Sequence, residues 1–385
     1  LAALGAADWL NWMMLGIIQG FAQGFAILMA QEFGAKKYEK LRDVIGNAGV
    51  LSLLFSLLLT GSGQLAARPV LLLLQTPETI LPDTLLYLRM MFLGVPIVMA
   101  YNLLACILRS LGDGKTPLHA MVVASFTNIA LDLLFVLVFR WGIAGAAAAT
   151  LIAQLISGLY CVYHIRKIEI LRMVPDNFRL NARLVPRLLL LGAPMAFQNC
   201  IIAVGGMILQ FIINGFGVIF IAGYTASNKL YGVLEVAATS YGYAMITYVG
   251  QNLGAGKYKS IRQGIRSALQ IRLATSVGFS AAMLLFGKLI LGCFISGTPQ
   301  ETAMAMEIAY LYLAIMSIFL PVLYLLHIVR SAIQGMGNTL LPMVSGIVEF
   351  IMRTIAAILL PGAIGQTGIF YAEIAAWIGG WQLWS

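Results

Sequence analysis

Acidic residues inside long apolar segments are the groups of this 385-residue sequence that could do chemistry. Asp132 stands out, since apolar residues flank it on both sides and Asn128 precedes it by one helical turn. Side chains four positions apart share one face of a helix, so the carboxylate and the amide can bind the same ligand. A carboxylate at bilayer depth costs at least ~2.5 kcal/mol to insert, so it rarely lacks a role. The pattern predicts that Asp132 binds and releases a cation, and a purely structural polar contact is the alternative.

Thr150 is expected to complete this site from the following helix. Asp132 lies eight residues before Arg140, and Thr150 lies eight residues after Gly142. At about 1.5 Å per residue, both side chains are about 12 Å from the same turn. The turn is short, so the two helices are neighbours, and Asn128, Asp132 and Thr150 can converge on one cation.

Five further polar groups lie in apolar segments of the second half of the chain. Glu235 could be a second protonation site or a contact for a cationic substrate, with a packing role as the alternative. Glu349 and Arg353 are one turn apart and opposite in charge, so we expect a structural or gating charge network that also includes Glu373. Direct ion coupling by that network is the alternative. His327 could titrate, although a hydrogen-bonded place in the core is more usual.

The sequence carries no motif typical of catalysis or of a bound cofactor. It has no phosphate-cradling GxxxxGK[ST], no HExxH, no paired CxxC and no nucleophile elbow. The four cysteines are scattered and predict no disulfide framework. We therefore expect a protein that is not an enzyme and has no cofactor. The only ion expected is a coupling H⁺ or Na⁺, with Na⁺ as the only possible metal at Asp132, Asn128 and Thr150.

The elements that must position these residues are membrane-spanning helices. The chain is 61% hydrophobic and only 10% charged, whereas soluble domains carry roughly 25% charged residues. A span needs about 20 apolar residues and must be helical, because lipid cannot satisfy free backbone groups. The predicted fold is an all-α integral membrane protein with about eleven transmembrane helices, some bent at Pro96, Pro194 and Pro321. The predicted spans lie near 9–31, 44–72, 84–108, 118–139, 141–165, 188–212, 218–249, 264–292, 304–334, 341–362 and 365–385.

The net charge of +9 reflects topology rather than a nucleic acid partner. Most of the 24 basic residues fall on alternate loops and their flanks, with Arg272 counted among them and Arg330 expected to reach the cytoplasmic surface. Alternation of this kind is the positive-inside pattern, so these loops are predicted to face the cytoplasm of a plasma membrane, expected to be bacterial.

An internal repeat divides the chain. Segment 31–48 aligns without gaps to 251–268, Gly112-Asp113 matches Gly337-Asn338, and Gly145 matches Gly368. Three matches in the same order predict a duplication into two parallel six-helix repeats. The expected organisation is an N-terminal lobe at 1–165 with helices 2–6, a cytoplasmic linker at 166–186 and a C-terminal lobe at 187–385 with helices 7–12. The symmetry predicts that the first helix is absent.

These motifs, with LRSLGDGKTP at 108–117, GIAGAAAATLIAQ at 142–154 and the segment 223–256, resemble the multidrug and toxic compound extrusion (MATE) family. The resemblance implies two lobes around a central cavity that opens alternately to each side. It also implies substrates that are amphipathic and often cationic, exchanged against H⁺ or Na⁺. No acid occurs near Cys200–Ile202 or within Leu320–Leu326, which favours the DinF-like branch. Asn128, Asp132 and Thr150 match the cation site of that branch, whose further Asp lies in the first helix.

The functional hypothesis is secondary active multidrug efflux by cation antiport, by a protein expected to work as a monomer among membrane lipids. The nearest alternative is a flippase for lipid-linked oligosaccharides of the same superfamily, which needs a cationic cavity. Basic residues within spans are few, namely Arg89, Lys229 and Arg353. A membrane-embedded enzyme and a channel are further alternatives, disfavoured by the lack of a catalytic cluster and of a filter-like motif.

Overall fold

The computed structural model describes residues 2–73, 78–295 and 297–382, with side chains from residue 10 onward except that of residue 73. This part of the chain is α-helical without strands, which confirms the all-α class. Its helices are α1 (Ala2–Gly34), α2 (Tyr38–Leu73), α3 (Leu81–Leu93), α4 (Val95–Ser110), α5 (Lys115–Asp132), α6 (Gly142–Ile165), α7 (Leu184–Asn214), α8 (Val218–Gly254), α9 (Tyr258–Leu291), α10 (Pro299–Gly335), α11 (Leu340–Ile364) and α12 (Tyr371–Gln382). A π-helical turn (Leu133–Val138) follows α5, and 3₁₀ turns occur at Glu169–Leu171, Pro175–Phe178 and Gln366–Phe370.

The helices agree with the predicted spans. Eight described helices are long and apolar enough to cross a membrane, and the bent pair α3 and α4 forms a ninth candidate. Helix α8 covers the predicted span 218–249, and a 3₁₀ turn with α12 covers the last predicted span up to residue 382. A helix or a bent helix pair therefore lies at each of the eleven predicted positions, and residues 383–385 of the last one are outside the described residues.

Proline shapes two of these spans. Helices α3 and α4 meet at 47°, at Gly94, with Pro96 in the first turn of α4, so the expected bend there is confirmed. Pro321 lies inside α10 and has no N–H to donate to the carbonyl of Ser317. The hydroxyl of Ser280 from α9 donates to that carbonyl instead, at 2.5 Å. A side chain from α9 thus compensates for the missing backbone hydrogen bond.

The chain forms two compact units. The first comprises Leu1–Cys200 and Gly250–Lys257, and the second comprises Ile201–Val249 and Tyr258–Ser385. Helix α7 and helix α8 each contribute residues to both units. The predicted boundaries of the lobes at 165 and 187 stay a prediction.

In the first unit, α1 packs against the first half of α7 through small residues. Asn199 of α7 donates a hydrogen bond of 2.9 Å to the Gly16 carbonyl. A methyl group added at Gly20 would overlap the backbone of Ala196. Such close approach needs small residues, as in other membrane helix pairs. Three glycines at four-residue intervals form this face of α1, namely Gly16, Gly20 and Gly24.

The predicted linker packs on α2 within the first unit. The amide nitrogen of Asn47 donates to the carbonyls of Asn177 at 3.3 Å and Arg179 at 3.1 Å. Its oxygen accepts the backbone N–H of Asn181 at 2.7 Å. Asn177 in turn donates to the Asp43 carboxylate at 2.7 Å. These hydrogen bonds fix residues 177–181 on α2.

The duplicated turns share their backbone conformation. Lys36 and Gly256 occupy matched positions in the left-handed region, with φ of 56° and 68°. Gly112 and Gly337, the second matched pair, have φ of 92° and 93°. Glycine favours this region because it lacks a Cβ atom. Equal conformations at matched positions support the duplication, while the parallel axis stays a prediction.

Asp113 caps α5 after one of these turns. Its carboxylate accepts the backbone N–H groups of Thr116 at 3.0 Å and Lys115 at 3.1 Å. Partial burial alone would raise the pKa of Asp113, but the hydrogen bonds from Thr116 and Lys115 outweigh it and lower that pKa below its usual 3.8. Asn338 plays the matching part in the second copy, since its oxygen accepts the Leu341 N–H at 3.1 Å.

In the second unit, aromatic side chains join α8, α10 and the 3₁₀ turn before α12. The rings of Tyr224 and Tyr312 lie 4.8 Å apart, and Phe370 lies 5.0 Å from Tyr312 and 5.5 Å from Phe220. All four residues are buried. This cluster holds the first half of α8 against its neighbours, which positions the polar residues further along that helix.

Candidate functional site

Asp132 lies at the point where α5 changes from α-helical to π-helical geometry. The π-helical turn begins at Leu133, and the N–H of Phe139 bonds to the carbonyl of Leu134, five residues earlier, at 2.9 Å. Such turns are rare and are frequent at functional sites. The residue pattern does not indicate this change, because the apolar run through 133–139 fits either helical geometry.

One polar atom of Asp132 and one of Asn128 are buried without hydrogen bonds. Asp132 Oδ1 and Asn128 Nδ2 contact no donor or acceptor among the described residues. The hydroxyl of Thr150 donates to the Ala146 carbonyl of its own helix, at 3.0 Å. Helices α5 and α6 pack side by side. The structure therefore places Asn128 and Asp132 on adjacent turns of one helix and Thr150 on its neighbour, and it joins none of the three by a hydrogen bond.

Three more buried oxygens of the first unit lack hydrogen bonds among the described residues. They are Asn11 Oδ1 on α1, Ser52 Oγ on α2 and Gln154 Oε1 on α6. Gln154 follows Thr150 by one helical turn, a spacing that could have identified it from the sequence. Unsatisfied buried polar atoms are costly, so native structures keep few of them. The described residues contain no group of three or more His, Cys, Asp or Glu side chains placed to hold a metal ion.

The second unit contains a buried charge network. Arg330 of α10 forms an ion pair with Glu349 of α11, and both side chains are less than 10% exposed. Arg353 of α11 pairs with Glu373 of α12 at 2.8 Å. Ser345 donates to Glu349 at 3.2 Å. The sequence suggested that Glu349 and Arg353 pair with each other, but each has its ion-pair partner on a different helix.

The predicted position of Arg330 at the cytoplasmic surface is wrong. Its side chain is 7% exposed and points at a carboxylate inside the unit. The prediction rested on the position of Arg330 near the end of α10. A sequence does not show whether a side chain at such a position points to the surface or into the protein. The acid that holds Arg330 is nineteen residues further along the chain.

Arg272, counted from the sequence among the basic loop flanks, is also buried, with 1% exposure. Its guanidinium donates to the carbonyl of Tyr324 at 2.8 Å and to that of Ala238. The rings of Tyr241 and Tyr324 lie 5.0 and 5.5 Å from it. Aromatic faces stabilise a buried cation. Arg272 thus links α8, α9 and α10, and it does not contribute to the positive charge of the loops.

Glu235 and His327 are both half-buried in the second unit. Glu235 interacts electrostatically with Glu373 and Arg353. His327 interacts with Arg330 and Arg272. The five polar groups singled out in the second half therefore lie in one region, in which Glu235 and His327 are each within electrostatic range of one of the two ion pairs.

Comparison with known proteins gives consistent matches. The sequence profile of the MatE family matches residues 1–134 and 194–359. A probable multidrug resistance protein of Bacillus subtilis, YpnP, is 27% identical over 95% of this chain and 82% of its own length. A probable multidrug resistance protein of Thermotoga maritima, NorM, is 25% identical over 98% of this chain and 81% of its own. The structure of a MOP superfamily transporter from Pyrococcus furiosus superposes with a TM-score of 0.93 at 19% identity, over 100% of this chain and 86% of that one, and this likeness concerns the fold.

Proposed function

Because this chain belongs to the MatE family, we propose that it exports amphipathic, often cationic compounds by antiport with H⁺ or Na⁺. The relatives named as multidrug resistance proteins support a small-molecule substrate. The observation that carries the coupling part is the buried, unpartnered pair of atoms on Asp132 and Asn128, next to a π-helical turn.

The coupling step follows from the charge of Asp132. An ionised carboxylate oxygen without hydrogen bonds is costly in apolar surroundings, and one bound H⁺ or Na⁺ removes that cost. Thr150 and Gln154 of the adjacent α6 offer further oxygen ligands, which a hard cation such as Na⁺ prefers. The π-helical turn begins at the next residue, so binding at Asp132 can change the packing of that turn against α6.

Antiport requires that cation and drug favour different states of the transporter. A cation that binds one state about tenfold better shifts the equilibrium by about 1.4 kcal/mol, and the drug must favour the other state by a similar factor. Asp132 supplies the cation-dependent difference in this proposal. Glu235 is a candidate contact for a cationic drug, because no partner from the two ion pairs neutralises it directly.

The central test replaces Asp132 with Asn in the full-length protein reconstituted into proteoliposomes. Drug transport is measured under an imposed proton gradient and, separately, an imposed sodium gradient. We expect D132N to bind drug with the affinity of the wild type, within about threefold, and to lose gradient-driven transport. The variant D176N is the matched control, since Asp176 is 76% exposed in the linker.

Transport by D132N at the rate of D176N would contradict the coupling role of Asp132. Transport under only one of the two gradients identifies the coupling ion. We also propose that the protein acts as a monomer in the plasma membrane, and the mass of the reconstituted particle tests that proposal.

The buried arginines do not favour the flippase alternative. A pyrophosphate carrier needs free cationic groups, but Arg330 and Arg353 each pair with a carboxylate. Arg272 is committed to two backbone carbonyls and two tyrosine rings. A lipid-linked substrate at any of these three arginines would therefore have to displace existing partners.

A further inference from the structure

The second unit contains a cavity between the beginnings of α8 and α10. It has a volume of about 430 Å³, within the usual range of about 300–1,000 Å³ for small-molecule sites. Apolar and small side chains form most of its wall, among them Val218, Ala222, Phe294 and Ala305. Its polar lining comes from Thr225, Lys229, Glu301 and Thr302. Apolar walls with a few polar groups are typical of sites for amphipathic ligands.

Lys229 is the unusual member of this lining. At about 1.5 Å per residue it lies about 16 Å along α8 from Val218, which is deep for a lysine in a membrane-spanning helix. Such a charge normally has a partner or marks a binding site. The described residues contain three ion pairs, and Lys229 belongs to none of them. Lys229 is an exposed residue that lines the cavity.

Glu301, the acid of the same cavity, is engaged elsewhere. Its carboxylate accepts the Thr298 hydroxyl at 2.6 Å and the Thr298 backbone N–H at 3.2 Å. These contacts form the capping box that begins α10. Glu301 keeps its negative charge in these contacts, but it is held at the start of α10 and forms no ion pair with Lys229 among the described residues, so Lys229 remains available to an anionic ligand.

We propose that this cavity binds an amphipathic anion, whose carboxylate, sulfonate or phosphate group lies against the Lys229 ammonium. The Thr225 hydroxyl, one turn earlier on α8, can donate to the same group. The apolar part of the ligand packs against Val218, Ala222 and Phe294. This site lies in the second unit, involves none of Asn128, Asp132 and Thr150, and does not depend on antiport. The anion can come from a lipid headgroup or from a soluble compound, and the experiment separates these sources.

The test uses the purified full chain in neutral detergent and the soluble amphipathic anion 1-anilinonaphthalene-8-sulfonate, whose fluorescence rises in apolar sites. The dye fluorescence measured in protein-free micelles is subtracted from that measured with protein. The variants are K229Q, which removes the charge, and K229R, which keeps it. K288Q is the matched control, because Lys288 lies in the same unit over the Tyr310 ring and not in the cavity. The D132N variant shows that binding is independent of coupling.

We expect K229Q to weaken dye binding by about tenfold or more, and K229R, K288Q and D132N to stay within about threefold of the wild type. Dioctanoyl phosphatidylglycerol and uncharged dioctanoylglycerol are then added as competitors. Displacement by the anionic lipid alone assigns the site to a lipid headgroup, and displacement by neither assigns it to a soluble anion. Equal dye binding by K229Q and the wild type overturns the proposal, as does equal displacement by the two lipids. Thermal unfolding of each variant confirms that the compared proteins are folded.

Discussion

Replacing Gly20 with Ala tests how tightly α1 and α7 pack. The added Cβ would overlap the backbone of Ala196 and lie 2.8 Å from the carbonyl carbon of Met195. Carbon atoms in ordinary contact are about 3.5–4.0 Å apart, so the helices must separate by about 1 Å. Backbone atoms in a helix cannot rotate away. The separation also weakens the hydrogen bond between Asn199 and Gly16, now 2.9 Å long.

The expected decrease in the free energy of unfolding has three contributions. Overpacking costs about 1–3 kcal/mol, and backbone contacts put this site at the upper end. Weakening one hydrogen bond costs about 1 kcal/mol. Alanine has a higher helix propensity than glycine, which offsets about 1 kcal/mol of the lost stability. We therefore expect G20A to lower the free energy of unfolding by about 3 kcal/mol.

The assay is equilibrium unfolding of the purified protein in mixed micelles, followed by tryptophan fluorescence. The matched control is G49A in α2, where no atom lies within 4 Å of an added Cβ. This control gains helix propensity without a clash, so it should be more stable than the wild type by about 0.5–1 kcal/mol. If G20A were as stable as G49A, α1 and α7 would not approach as closely as described, and the account of the glycine face would be refuted.

Two further predictions concern charged groups. E349Q should destabilise the protein by about 3–5 kcal/mol in the same unfolding assay, because it leaves Arg330 buried without its counter-charge. The control D176N breaks an exposed ion pair and should change stability by less than about 1 kcal/mol. D113A should be less stable than the wild type at neutral pH, since the folded protein lowers the pKa of Asp113 through the Thr116 and Lys115 hydrogen bonds. That difference is present above the ordinary pKa of 3.8 and should vanish as pH falls through the lower folded value, so a gap that persists in acid would contradict the cap.

Hydropathy predicted the helices well because lipid permits little else for a long apolar segment. The bend between α3 and α4 was also visible, since Pro96 cannot continue a helix without losing a hydrogen bond. The duplicated turns were detected through shared residues at 31–48 and 251–268, and their left-handed backbones agree. All of these features are local in sequence or depend on composition.

The missed features depend on which residues meet across helices. The partner of Arg330 lies on α11, and the carbonyls that hold Arg272 lie on α8 and α10. A count of basic residues near helix ends cannot distinguish such arginines from cytoplasmic ones. The π-helical turn after Asp132 was equally hidden, because apolar residues carry no periodic signal that separates it from an α-helix. For Asn128, Asp132 and Thr150, the sequence supplied the positions on two neighbouring helices, and their joint role as a cation site stays a prediction.

Whether a buried carboxylate already has an ion-pair partner decides how strongly it can respond to a cation gradient. Glu349 and Glu373 each face an arginine within the protein, so their negative charges are already balanced. A second cation at either place would have to compete with a guanidinium that cannot lose its proton in a protein. Asp132 has no ion pair among the described residues, and its buried oxygen lacks any hydrogen bond. An exchangeable cation can therefore gain more at Asp132 than at Glu349 or Glu373, so the two paired glutamates are weaker candidates than Asp132 for the proposed coupling step.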